Sequence, residues 1–451
     1  MGTAAALLFA IVSEAAYVTL LAAGDLRAHP VALLSALAMA IAAYLAIVPV
    51  LLRAAPAAAP RRILVGAALL ARTTLLPATP SLSDDVYRYL WDGRMLREGI
   101  NPYRYAPGDE ALERFRDPAW QRINYPELPT IYPPAAQILF AAASPFGLPG
   151  LKLAMAAGEG LLVLGIRALL RERGLPEHLV LVYALHPLPI VEVFHSGHLE
   201  AVPVAGLCWA LVFASRGRPG TSGAFWGAAI VAKFFPLCLV PQALRTLRVR
   251  GGLAIAAVVA SLYAPFLGAG RNVFRSLWEY GTRWRWYDSI FGLILWTTGK
   301  LHLGEAAQAV VARLDAATYG TAIREPVRAL YAIAYDGFVA RAIDGLAFAA
   351  VLAIVFRRRL ALHDAALAAG AAFVLLTPSL HPWYMLWVLP WLCLRFSWGL
   401  AVLGALVPLS YSTFLAGPAI AGHWSEPFLL KVATFATTAV LLLFDARRWR
   451  R

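Results

Sequence analysis

Apolar residues run through this chain in long blocks, and polar residues collect in the short intervals between them. The blocks 3–23, 31–52, 62–78, 150–170, 178–194, 199–215, 221–234, 236–247, 252–268, 340–356, 363–378, 383–396, 398–416 and 427–444 each read as a candidate spanning helix. A helix needs about 20 mostly apolar residues to cross a bilayer, and several of these blocks are shorter, so their boundaries are soft. The pattern predicts an all-α fold, a polytopic transmembrane bundle of about 13–14 spanning helices. The first block carries Glu14 and has no basic stretch before it, which predicts a retained helix and not a cleaved signal peptide.

Composition agrees with the pattern. Hydrophobic residues are 60% and charged residues 15% of the 451, against roughly a half and a quarter in soluble domains. The net charge of +14 comes mainly from arginine. Its clusters are Arg53 with Arg61 and Arg62; Arg167, Arg171 and Arg173; Arg216 and Arg218; Arg245, Arg248 and Arg250; Arg357 to Arg359; and the tail from Arg447 to Arg451. The positive-inside rule places all of them in the cytoplasm. The helices then alternate correctly only if segment 132–148 lies at or dips into the outer face without crossing. Both termini fall inside.

On that topology the outer side receives 79–149, the turn from His195 to Glu200, the region 269–339, and the turns at Lys233 to Pro236 and Ser379 to Tyr384. The region 100–131, rich in proline and tyrosine, reads as an ordered loop; 303–335 reads as interfacial helices. The polar residues therefore converge on one face, within a single domain spanning 1–451. Cys208, Cys238 and Cys393 lie far apart inside apolar blocks and read as buried hydrophobes. Zinc-ligand spacing, a phosphate loop and a basic-aromatic single-strand platform are all missing, which argues against nucleic acid as a partner.

The densest polar stretch runs from Asp84 to Arg94, with three carboxylates and two arginines in eleven residues. Ser83 is a candidate N-cap with Asp84 and Asp85 in the first turn. Asp84–Arg88 and Arg88–Asp92 are spaced for i,i+4 ion pairs. A helix start alone explains such acids; adjacent carboxylates at a membrane face also suit general-base chemistry. Lys233 closes an apolar block and is either a snorkelling lysine or a phosphate ligand. His195, His198 and Glu200 do not have the spacing of a zinc-protease helix and read as a polar, substrate-binding helix end. Arg271, Arg275, Arg283 and Arg285 lie among Trp278, Trp284, Trp286, Tyr287 and Asp288, a composition suited to a lipid phosphate and a stacked sugar. His381, Trp383 and Tyr384 form a smaller cluster of the same kind. Glu14 and Glu159, inside spans, are expected to face the bundle interior.

The stretches Ser83 to Gly93, Gly99 to Tyr103, Tyr132 to Gln137, Gly197-His198, Lys233 to Pro236 and His381 to Tyr384 together resemble the GT-C superfamily of membrane glycosyltransferases. Within it, the chain is similar to bacterial polyprenol-phosphate-mannose-dependent α-1,6-mannosyltransferases. That resemblance implies a GT-C bundle in the bacterial inner membrane and an inverting transfer of a hexose, mannose first, on the outer face. The donor is a polyprenyl-phosphate sugar and the acceptor a glycan or lipid, among membrane lipids and with no nucleotide sugar. It implies a catalytic base at Asp85 or Asp84 and substrate or phosphate contacts at Arg88, Tyr103, Tyr132, His198, Glu200, Lys233, Arg283, Arg285, Asp288, His381 and Tyr384. Glu200 stands where the family pattern suggests Asp. No cofactor is implied; a divalent cation is possible but not indicated. The competing reading is a multispanning lipid or saccharide transporter, for which internal repeats and helices broken at mid-membrane are the expected signs.

Overall fold

The computed structural model describes residues 2–417 and 425–449. Arg450 and Arg451 of the basic tail lie outside the described residues. The described chain is helical, with one isolated parallel bridge between Trp286 and Ser379. It opens with α1 (Thr3–Ala23), α2 (Pro30–Arg53) and α3 (Ala58–Leu75). Gly24, at φ 67°, ends α1 and returns its N–H to the Leu21 carbonyl, while Pro30 starts α2 where its missing N–H costs no hydrogen bond. Then come α4 (Asp85–Arg97), α5 (Pro134–Ala143) and α6 (Gly147–Glu172). Gly93 explains how α4 and α5 fit: a Cβ there would sit 2.3 Å from the Phe140 carbonyl oxygen, so only glycine allows this approach.

Long-range contacts sort the bundle into two ends. At one, His178 Nε2 meets the Leu51 carbonyl, Arg216 pairs with Glu172, Gln242 donates to the Leu360 carbonyl, Arg395 pairs with Asp364 and Ser397 donates to Asp445. At the other, the Leu26 N–H donates to Ser81, Lys233 pairs with Glu200, the Trp286 N–H reaches the Pro378 carbonyl and Thr413 donates to the Ser425 carbonyl. The first end carries the arginine clusters; the second carries the loops. Both flanks of α5 stay at the loop end: the Ala135 N–H bonds the Val231 carbonyl at 2.8 Å, and Lys152 near the start of α6 reaches the Ala78 carbonyl. Thus α5 does not traverse the bundle.

Among the described residues, seven helices are long and apolar enough to cross a membrane, or eight if the bent pair Glu177–Ala184 and Pro187–His195 is one span. The expected 13–14 differs because the remaining apolar blocks are short or irregular. Block 383–396 folds as two 3-10 segments, Pro382–Trp387 and Leu389–Cys393, each with proline at its start. A 3-10 segment rises roughly 2.0 Å per residue, so a short stretch still reaches from Ser379 to Arg395. These segments are buried in protein, where irregular backbone at membrane depth is tolerated. The bent pair turns by 61°. Arg72 of α3 braces the break by donating to the Ala184 carbonyl at 2.8 Å while its guanidinium pairs with Glu159 at 2.5 Å, both side chains buried. Glu159 therefore faces inward, and Glu14 accepts from Thr74 inside the same helix group.

Candidate active site

Between the loops at the second end lies a cavity of about 1440 Å³. Its polar wall carries Arg27, Asp84, Asp85, Arg88, Asn124, Tyr132, Lys233, Arg283, Arg285, His381, Tyr384 and Glu426, and its apolar wall includes Phe234, Phe235, Leu237, Phe348 and Phe373. Seven of the residues expected from sequence to bind substrate or phosphate thus open on one space, together with both candidate bases.

The two acids differ in their surroundings. The α4 helix starts at Asp85, one residue later than the cap reading implied, and the Ser83 hydroxyl accepts the Asp85 N–H at 3.2 Å. Asp84 does not pair with Arg88. It pairs with Arg27, from the α1–α2 turn, at 3.0 Å and with Arg122 at 3.7 Å. Arg88 instead turns along its helix to Asp92 at 2.8 Å and donates to the Leu128 carbonyl at 2.9 Å, which fastens the 124–131 loop to α4. Asp85 accepts a hydrogen bond from Asn124 at 3.3 Å and makes no ion pair among the described residues.

Lys233 is not a free charge. It is bonded to Glu200, which is fully buried, so the pair crosses from the protein interior to the cavity wall. The ammonium lies 5.8 Å from the Tyr132 ring centroid and 5.5 Å from that of Tyr384. Glu200 is not among the residues that line the cavity; it holds Lys233. His198 is likewise buried. Its Nδ1 lies 3.0 Å from Glu192 Oε2, an ion-pair distance without the alignment of a hydrogen bond, and its ring stacks on Trp383 at 3.9 Å. Burial works against the His198 imidazolium, but Glu192, then Glu200 and Asp85, outweigh it and raise the pKa. Glu192 also accepts from Tyr411, which reaches the cavity. His381 stacks on Trp383 at 4.5 Å. Desolvation in the cavity wall lowers its pKa to about 4; Asp85 opposes that shift, and His198 and Lys233 add to it. The same Asp85 charge is felt at His198, so the acid, the two histidines and Lys233 form one electrostatic cluster.

Three further expectations are corrected. Tyr103 does not reach the cavity; it packs on Phe266 and its hydroxyl donates to the Tyr132 carbonyl at 2.7 Å, fixing that backbone. Asp288 is buried behind the wall, bonded to Arg285 and 3.0 Å from Lys431 Nζ. Of the four loop arginines, only Arg283 and Arg285 line the cavity; Arg271 and Arg275 are exposed elsewhere. Sequence reasoning missed Arg27, Arg122, Asn124, Glu426 and Lys431. Only Arg27 carried a signal, in the Asp25-Leu26-Arg27 triplet between two apolar helices.

The backbone at the wall and just behind it is also strained. Tyr125 and Tyr287 both adopt φ 49°, a left-handed conformation uncommon for aromatic residues. Each is held in place: Tyr125 packs on Trp284 with centroids 4.2 Å apart, and the Tyr287 N–H donates to Glu426 at 2.9 Å. Strain of this kind concentrates at binding sites, where surrounding contacts over-determine it. Among the described residues no group of three or more His, Cys, Asp or Glu is placed to hold a metal ion.

A family model described as alpha-(1->6)-mannopyranosyltransferase, N-terminal domain, matches residues 2–248, more than half of the chain. No curated protein and no solved structure gives a significant match. The matched segment contributes Arg27, Asp84, Asp85, Asn124, Tyr132 and Lys233 to the cavity. A glycosyltransferase, and not a transporter, is the consequence: the chain belongs to the alpha-(1->6)-mannopyranosyltransferase family and is an integral-membrane mannosyltransferase.

Proposed function

We propose that the enzyme transfers mannose from a polyprenyl-phosphate donor to a hydroxyl of a glycan or lipid acceptor, with inversion, in the cavity beside α4. Asp85 is the general base. One observation carries this assignment: Asp85 and Lys233 open on the same cavity, while Asp84 is neutralised by Arg27 and Arg122. The Asp84 carboxylate is already engaged by two guanidiniums, which occupy the oxygens an acceptor hydroxyl would have to reach. Asp85, with only Asn124 on its side chain, is the freer base.

The acceptor oxygen attacks the anomeric carbon as its proton passes to Asp85. The bond from that carbon to the phosphate oxygen breaks, and the polyprenyl phosphate leaves with the electron pair. Lys233, Arg283 and Arg285 stand on the wall to stabilise the charge that grows on the phosphate. Tyr132, Tyr384 and Trp284 offer ring faces for the sugar. The arginine clusters at the opposite end favour a cytoplasmic location for that end, which puts the cavity on the outer face and both termini inside. The whole chain acts as one unit, because Ser276 to Trp286, Ser379 to Phe414 and Glu426 complete a wall begun by 79–149.

The test is transfer of labelled mannose from polyprenyl-phosphate mannose in membranes holding equal amounts of each variant. Asp85→Asn is expected to lose about 10²–10⁴-fold in kcat, the usual worth of a general base. Asp84→Asn is expected to lose much less. Full transfer by Asp85→Asn removes the base assignment, and no transfer by the wild type from any polyprenyl-phosphate sugar removes the donor.

A further inference from the structure

Glu192 takes no part in the proposed transfer step. It is buried and does not line the cavity, yet residues that do line it are tied to it. Its Oε1 accepts the Tyr411 hydroxyl at 2.8 Å, across 219 residues of sequence. Its Oε2 lies 3.0 Å from Nδ1 of His198, which is buried as well. The two side chains meet because Ile190–His195 winds as a wide π-helical turn and the His198 N–H returns to the Glu192 carbonyl at 2.9 Å. On a regular α-helix, residues six apart stand roughly 120° apart round the axis and face different ways. Single π-turns of this kind are frequent at functional sites.

His198 carries the link onward. Its ring stacks on Trp383 with centroids 3.9 Å apart and planes at 22°, and His381 stacks on the same indole at 4.5 Å and 6°. Two rings this close and this parallel to one indole take its opposite faces. The order from the interior to the cavity is therefore Glu192, His198, Trp383, His381. A buried carboxylate is costly without a cation beside it, and an imidazolium over an indole face is a cation–π contact. One charge on His198 thus serves both neighbours. The titratable groups around it are Glu192 and His195 of its own segment; Glu200, bonded to Lys233, at the start of Ala201–Ser215; Asp85 of α4; Lys152 of α6, packed on Gly197; and His381 beyond Trp383. Burial disfavours the imidazolium, but Glu192, Glu200 and Asp85 together outweigh it and raise the pKa.

We infer that Glu192 and His198 are positioning residues for the transfer, a buried ion pair that sets where Tyr411 and the Trp383–His381 stack stand on the cavity wall. The inference rests on the proposed reading of the cavity as the site of transfer. Tyr411 belongs to the segment Val407–Ala416 and Trp383 to Pro382–Trp387, so the pair fixes one segment against the other. The turn before Trp383 is held from its far side too, where the Leu380 N–H donates to the Trp286 carbonyl at 2.8 Å. His381 stands between these two anchors and feels the charges of Asp85 and Lys233. A displaced stack therefore moves the wall beside the base and the donor phosphate. Neither Glu192 nor His198 lines the cavity; both act through groups that do.

Glu192→Gln keeps the shape and an oxygen for the Tyr411 hydroxyl but removes the charge beside His198. Transfer from polyprenyl-phosphate mannose is measured across pH at equal amounts of folded enzyme. Wild-type kcat is expected to fall on the alkaline side as His198 loses its proton. In Glu192→Gln that fall should move to lower pH by about one unit or more, the usual effect of losing an opposite neighbouring charge. At neutral pH kcat should drop by about 10–100-fold, the scale of a misplacement of roughly 1 Å near reacting atoms, with donor KM close to wild type. Tyr411→Phe cuts the other arm and should lower kcat with the alkaline fall unmoved. If Glu192→Gln does not fold, His198→Gln carries the same kinetic test and should lose the alkaline fall altogether. A second measurement needs no substrate. With carbon-13 at histidine Cε1, the His198 resonance should titrate above the usual 6.5 in the wild type and lower in Glu192→Gln, and the His381 resonance should shift with it because the stack has moved. An unchanged pH profile and kcat, a rise in donor KM alone, or an unmoved His381 resonance overturns the inference. Absence of transfer by the wild type rejects the donor only, and the two resonances then decide the inference by themselves.

Discussion

Lys233 and Glu200 form an ion pair that is exposed on one side only. The lysine side chain keeps 23% of its accessibility at the cavity wall, and the glutamate keeps none. Lys233 follows the helix Pro219–Ile230, and Glu200 sits at the start of the helix Ala201–Ser215, so the pair also ties two neighbouring helices together at the cavity mouth. A buried carboxylate without its partner is costly, typically about 3–5 kcal/mol when one member of a buried pair is removed. Lys233→Met is therefore expected to lose both thermal stability in detergent and donor affinity. Adding Glu200→Gln to Lys233→Met removes the stranded charge. The double variant should recover most of the melting temperature but not the donor KM. Recovery of both together would show that Lys233 serves stability alone.

Lys431 comes from the C-terminal helix Phe428–Trp449, beyond the segment that matches the family model. It contacts Asp288 at 3.0 Å and bonds Glu426, and Asp288 in turn bonds Arg285. Glu426 also accepts the N–H of the strained Tyr287. Lys431→Met leaves two carboxylates facing each other and is expected to draw Arg285 away from the cavity. The donor KM should rise by about tenfold, the equivalent of 1.4 kcal/mol, with kcat changed less. Steady-state kinetics across donor concentration measures the split, and Lys431→Arg should restore the KM. A fall in kcat at unchanged KM would contradict a positioning role.

His381 gives the pH dependence a direction. Its folded-state pKa, about 4, lies below the usual histidine value of 6.5. The unfolded chain therefore binds more protons at this position between those values, and stability rises with pH there. The contribution is fully present above about 6.5 and is lost as pH falls toward 4. His198 has the opposite sign: its pKa is raised, so its contribution is present at low pH and fades as pH rises through the folded value. Melting temperatures from pH 4 to 7 should show a shallower acid-side loss in His381→Gln than in the wild type. An identical pH profile for both would mean that His381 does not titrate in that window.

The helical bundle was legible because lipid imposes one requirement on every spanning segment: apolar side chains outside and satisfied backbone inside. The count of long helices was less legible. Block 383–396 looks like any other apolar run, and only its prolines at 382 and 390 hint at the two 3-10 segments that form once neighbours bury them. The acids of α4 were legible as a cluster, because charge is rare in this chain. Their partners were not. The i,i+4 rule offered Arg88 to both Asp84 and Asp92, and Arg88 can satisfy only one rigid geometry at a time; it takes Asp92 and the Leu128 carbonyl.

Sequence alone determined that this is an all-helical membrane protein, that arginine and loop chemistry lie at opposite ends, and that Asp84, Asp85 and Lys233 belong to one polar set. Each follows from local composition and the repeat of the helix, which need no knowledge of distant neighbours. The tertiary structure decided which charges are engaged and which face the cavity. Arg27 reaches Asp84 across 57 residues and Glu200 reaches Lys233 across 33. Asp288 is turned inward to Lys431 across 143. Such pairings depend on which loops the packed helices bring together, and that is set by helix contacts such as Gly93 against Phe140, not by the spacing of the charged residues themselves.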